Sequence, residues 1–195
     1  MPIIDLPRIT KTRVLDLPSG PAFASDIDAG PEHWHRYALS YKNGADALAE
    51  VIEADDVQRH FLALSALFLY RHYIELHLKS LLVDAGELLD EPQEIPPKHY
   101  ILTLWRRVRA LLLKVDPRDS PWLTRAGDII TQFDALDPTS YAFRYPVDPS
   151  GKPSLPAGVQ VEIPSIAGII EELHILLEGA STQIDVYMGC KNEYP

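Results

Sequence analysis

The chain of 195 residues has a single cysteine, Cys190. One thiol allows neither an internal disulfide framework nor a cysteine-based zinc site. There is also no uninterrupted apolar run of membrane-spanning length. The richest stretch, Phe61 to Val83, is broken by Arg71, His72, Glu75, His77 and Lys79, and charges of that kind are costly inside a bilayer. The opening residues MPIIDLPRITKTRVLDLPSG show no basic region followed by an apolar core. No secretory signal is therefore expected, and a cytosolic protein is the simplest expectation. Equally missing are a G-x-S-x-G elbow, a G-x-x-x-x-G-K-[ST] loop and a G-x-G-x-x-G turn. Hydrolase, nucleotide-motor and dehydrogenase readings lose their footing, and no cofactor is expected. Internal repeats and low-complexity segments are absent too.

What is present is an ordinary globular composition, 46% hydrophobic and 24% charged, with a formal net charge of −10. That balance opposes non-specific binding to nucleic acid. One basic stretch, WRRVRALLLKVDPR, gathers Arg106, Arg107, Arg109, Lys114 and Arg118. A solvated helix face opposite an apolar stripe explains it better than a binding patch.

Hydrophobic spacing predicts an all-α bundle of about five helices. Residues 1–32, rich in proline and poor in periodicity, read as an extended arm packed on the body or on another subunit. Residues 33–195 read as one helical domain. A first helix covers Trp34 to Ala54, with Leu39, Ala45, Leu48, Val51 and Ile52 inward. Asp55 or Asp56 caps a long second helix reaching Leu82 or Ala85, with Gly86 as its C-cap signal. A third helix runs from Ile101 to Val115, ended by Asp116-Pro117, and a fourth from Pro121 to Leu136, ended by Asp137-Pro138. Residues 141–162 then lean towards strand around a turn at Asp148-Pro149-Ser150-Gly151, which predicts a small inserted β-hairpin. A last helix starts at Pro164 or Ser165 and reaches about Met188.

The second helix carries the most pointed sequence, LYRHYIELHLKSLL, from Leu69 to Leu82. At about 100° per residue, Arg71 and Glu75 lie within about 40° of each other, inside the stripe formed by Leu67, Leu78 and Leu82. A charge placed there needs a partner, since an unpaired buried charge costs several kcal/mol. His77 is rotated about 120° from Arg71 and raised ~9 Å. A nuclease needs its acid or base and its charge stabiliser around one scissile group. On one regular helix these two side chains do not converge, unless two protomers pool them, and His77 reads as a bystander.

Other histidines are candidate metal ligands by residue type. His33 and His35, beside Glu32, point to different sides of a helix, and His60 and His72 fall about 120° apart. No metal site is expected from them or from His77 and His99. His99, opening the third helix, can reach back to Glu75. Arg71, Glu75, Lys79, His99 and Arg144 thus form either a structural polar network or a polar pocket for a phosphate or nucleotide.

Three segments together carry a family resemblance: RHYIELHLKSLL, KHYILTLW from Lys98, and FRYPVD from Phe143 to Asp148. In order and spacing they resemble the HEPN superfamily of small all-α domains, over roughly Ala54 to Gly189. In KHYILTLW, Tyr100 and Ile101 stand where that family usually has an acidic-leucine pair. The spacing of Arg71 and His77 is similar to the Arg-x4–6-His motif of the superfamily's ribonuclease toxins. There, however, the motif lies near the start of the last helix. The corresponding region here has Arg144 and no histidine before His174. The resemblance implies a homodimeric, non-catalytic interaction or nucleotide/RNA-binding module of a prokaryotic accessory or defence system, acting beside a partner protein encoded nearby. Its alternatives are a metal-independent, toxin-like endoribonuclease using Arg71 and His77, and a structural dimeric partner of another protein.

Overall fold

The structure, a computed structural model, describes residues 33–118 and 120–193. The arm expected over residues 1–32 lies outside them. Five helices follow one another: α1 (Trp34–Ala54), α2 (Asp56–Leu88), α3 (Ile101–Val115), α4 (Pro121–Leu136) and α5 (Ile163–Glu193). The protein is an all-α bundle, with no strand among the described residues. None of these helices is long and apolar enough to cross a membrane.

Helix α2 is the axis of the bundle, packing against α1, α3 and α5. Every residue from Tyr73 to Leu82 is buried. A helix hidden on all sides must be surrounded by other elements. Its first turn is capped as the sequence requires, with the Asp55 carboxylate accepting the Val57 N–H at 2.8 Å. Against it α1 buries Ala38, Lys42, Ala45, Ala49 and Ile52. Of the residues expected inward, Ala45 and Ile52 are buried and Leu48 packs partly against the core, whereas Val51 stays 45% exposed. Alanines let two helix backbones approach closely, which a row of leucines would prevent.

Helix α2 ends later than expected. Gly86 is not its C-cap but an interior residue, and the chain leaves the helix through Leu89 and Asp90. Asp90 takes a left-handed φ of 56°. The Glu91 N–H returns to Gly86 O at 2.8 Å and the Asp90 N–H to Glu87 O at 3.2 Å, forming a Schellman closure. Glycine is required at 86 because the returning chain lies on it. A Cβ there would sit 2.7 Å from Gln93 Cγ and 2.8 Å from the Glu91 carbonyl oxygen.

The expected hairpin over 141–162 is also corrected. Only an isolated antiparallel bridge, Val147 to Pro153, forms. Pro146, Pro149 and Pro153 have no N–H to extend a ladder. The turn itself is built as the sequence suggests: Gly151 N–H donates to Asp148 O at 2.9 Å, and the Asp148 carboxylate accepts from the Ser150 and Lys152 N–H groups. Helix α5 begins at Ile163 and runs beyond Met188 to Glu193. Phe143 and Ile163 close a small apolar cluster with Ala49, Ile52, Ala66 and Leu67 at the α1–α2 end of the bundle.

Candidate functional site

Two buried polar clusters flank α2, and its LYRHYIELHLKSLL stretch supplies both. The first is built on Arg71, which is fully buried. Its Nε donates to the Asp137 carbonyl at 2.8 Å and its Nη2 to the His99 carbonyl at 2.6 Å. The same guanidinium faces the carboxylates of Glu75 at 3.5 Å and Asp137 at 3.6 Å. Glu75 accepts from Lys79 Nζ at 2.7 Å and pairs with His99 Nδ1 at 2.7 Å. The Asp137 carboxylate in turn accepts the N–H groups of Tyr141 and Ala142. Arg71 therefore pins the start of α3 and the end of α4 to the middle of α2.

Electrostatics within this cluster balance. Burial raises the Glu75 pKa, but the hydrogen bonds and charges of Lys79 and His99 outweigh it and leave the carboxyl below its ordinary value. Burial lowers the Arg71 pKa against the opposing pull of Asp137 and Glu75; a guanidinium nevertheless keeps its charge. Lys79 reaches further, its ammonium lying 5.5 Å over the Trp34 ring of α1.

Of the residues expected in this network, Arg71, Glu75, Lys79 and His99 come together. Arg144 does not join them. Its guanidinium donates to the Ser140 carbonyl and stacks near Phe68 and Tyr145. The acid that completes the network is Asp137, the residue that also ends α4.

His77 is no bystander. It is fully buried on another side of α2, in a seam shared with α1 and α5. Tyr73 Oη lies 3.1 Å from both His77 Nδ1 and His174 Nδ1. His77 Nε2 is 3.3 Å from Ser181 Oγ and 3.7 Å from Glu178 Oε1. Glu178 Oε1 also accepts from His35 Nε2 at 2.6 Å and stands 3.7 Å from His174 Nδ1. Farther along, Lys42 binds Asp46 at 2.8 Å and Glu171 at 2.6 Å, while Tyr70 donates to Asp46 at 2.9 Å. Burial, with His35 and His174 adding to it, drives the His77 pKa down to about 3, so its imidazole is neutral. Burial pushes the Tyr73 phenol up, and it stays protonated.

No known family, curated protein or solved structure matches the chain. The chemistry of the two clusters is read from their geometry alone. Arg71 and His77 belong to different clusters and face different neighbours, so within one protomer they do not surround a common group. The seam is not legible from histidines taken as neighbours, along α2 or against the start of α3, because it needs α5. Its signal is helical spacing: Tyr70, Tyr73 and His77 on α2, with Glu171, His174, Glu178 and Ser181 on α5. Each set repeats at three and four residues, the spacing of one helix face. Three cations of the basic stretch are engaged locally: Arg107 on Gln93 and Glu94, Lys114 on Glu91, and Arg118 on Asp116.

Proposed function

We propose that this chain is a non-catalytic, HEPN-like interaction module that acts as a homodimer. The observation that carries the reading is an apolar stripe on the first turns of α2. Val57, Phe61 and Leu64 are 64%, 75% and 49% exposed, at the i, i+4, i+7 spacing of one helix face. Large apolar side chains grouped on one exposed helix face form a patch of the kind that marks an interaction site. Leu64 is shared with a groove that Leu67, Leu136, Phe143, Leu155 and Val161 line. A second copy is the occupant that fits. Knob and groove lie side by side on the same surface, and a two-fold axis presents each to the other.

Two points favour this reading over a metal-independent endoribonuclease. The Arg71 guanidinium is occupied by structural partners, and His77 lies in a separate buried seam. The nucleotide- or RNA-binding form of the module has the net charge of −10 against it. The placement in a prokaryotic accessory or defence system, beside a partner encoded nearby, rests on the HEPN resemblance.

Sedimentation equilibrium tests the proposal. Wild-type protein is expected to have the mass of a dimer, and Phe61→Glu the mass of a monomer with unchanged helical circular dichroism. A wild-type monomer at high micromolar concentration would remove the homodimer, and a dimer unaffected by Phe61→Glu would move it off this face.

A further inference from the structure

We propose that His35, His77 and Glu178 form a binding site for a divalent transition metal of the zinc class, clamping α1, α2 and α5 together. One nitrogen of each imidazole and one oxygen of the carboxylate all lie within 4.8 Å of one another. Glu178 Oε1 is the common point, 2.6 Å from His35 Nε2 and 3.7 Å from His77 Nε2. A tetrahedral ion with bonds of 2.0–2.2 Å holds its ligand atoms about 3.3 Å apart. The His35–Glu178 separation is shorter than that and the His77–Glu178 separation longer, so turning the His35 ring away from Glu178 and moving the Glu178 carboxylate towards His77 admits the ion. His35 is free to turn, since its side chain is 38% exposed. The two imidazoles meet edge to face, their planes at 80°, which lets both nitrogens converge without stacking.

The surroundings also supply what a ligating imidazole needs. A ligating imidazole normally has its other nitrogen held by an outer partner. His77 has one, because Nδ1 lies 3.1 Å from Tyr73 Oη. In the metal-holding arrangement His77 Nδ1–H donates to Tyr73 Oη, and Tyr73 O–H donates to His174 Nδ1. Every proton of that relay is then used once, and the His77 Nε2 lone pair is left for the ion. Ser181 Oγ, 3.3 Å from the same Nε2, gives up that contact. His35 donates Nε2–H to Glu178 in the metal-free protein and ligates through the same nitrogen in its other tautomer. Two neutral imidazoles and one carboxylate select borderline ions such as Zn2+ or Co2+ over Ca2+ and Mg2+, which prefer oxygen. Glu178 is 32% exposed, so the ion has access from solvent, and water completes its fourth position. The three ligands come from the first turn of α1, the middle of α2 and the middle of α5. Binding is therefore expected to stabilise the bundle, because only the folded chain brings them together.

The test uses the full chain, chelator-treated and free of any affinity tag. Zn2+ titration by calorimetry is expected to show one ion per chain and a rise in Tm, with no response to Ca2+ or Mg2+. Co2+ is expected to give visible absorption bands of four- or five-coordinate geometry. Glu178→Gln keeps a hydrogen-bonding side chain, and His35→Ala removes a partly exposed one. Each is expected to weaken Zn2+ binding while retaining the helical spectrum, whereas His60→Ala leaves binding unchanged. His35→Ala alone decides the matter should Glu178→Gln fail to fold. Absence of Zn2+ binding to wild type would overturn the site, as would binding that His35→Ala leaves intact.

Discussion

At the scale of single residues, Glu75 shows how a buried charge is made tolerable and how it can be read out. Its carboxylate touches Lys79 and His99 and faces Arg71, with the His72 imidazole 4.0 Å away. Its folded pKa lies below the ordinary value, so the folded state favours the ionised form. As pH falls below about 4.5, the unfolded chain takes up a proton before the folded one does. The stabilisation is whole above that pH and is lost as pH drops through the folded pKa. Urea midpoints measured from pH 7 to pH 3 are expected to fall steeply on the acid side for wild type. Glu75→Gln is expected to start lower at pH 7 and fall less steeply. Parallel curves would mean that Glu75 does not carry the acid sensitivity. The pairing of Arg71 with Glu75 was readable from the sequence because both fall on one apolar face four residues apart. Asp137 was not readable as their partner, since its position depends on how α4 docks. His77 was misjudged for a related reason: turning away from Arg71 means leaving the core only when a helix has one buried face, and α2 is buried all round.

Among the elements, helix spans were the most readable part of this sequence. Asp55, Asp116-Pro117 and Asp137-Pro138 mark boundaries by local chemistry, and α1, α3 and α4 end where those signals place them. The end of α2 was missed because Gly86 answers to the packing of the chain that returns after the helix. It is small to admit residues 91–93, not to turn the chain. This makes the helical glycines a paired experiment. Gly168 and Gly179 in α5 have nothing within 4 Å of where a Cβ would stand, so replacement by alanine is expected to gain up to about 1 kcal/mol from helix propensity. Gly86→Ala meets Gln93 and a backbone oxygen, and is expected to destabilise despite the same propensity gain. Thermal unfolding of the three variants checks the difference in sign. The hairpin expected over 141–162 failed for an equally physical reason. Alternating apolar residues suggest strands, but prolines at 146, 149 and 153 leave too few donors for a ladder.

For the molecule as a whole, the net charge of −10 and the local engagement of Arg107, Lys114 and Arg118 make one prediction. Single-stranded RNA is expected to show no mobility shift and no cleavage with this protein at physiological ionic strength. A salt-sensitive shift would restore the RNA-binding form of the module, and metal-free cleavage lost in His77→Ala would restore the ribonuclease. The bundle as a class was readable from hydrophobic period alone; its polar interior was not, because side chains from three helices meet there across more than a hundred residues of sequence. The contact between Lys79 and Trp34 now has an optical meaning. Of the three tryptophans, Trp105 and Trp122 lie on α3 and α4, while Trp34 sits on the first turn of α1 beside His35. An ammonium held over its indole ties its fluorescence to the docking of that turn on α2. Emission from a Trp105→Phe, Trp122→Phe background therefore reports, in light, whether α1 is seated.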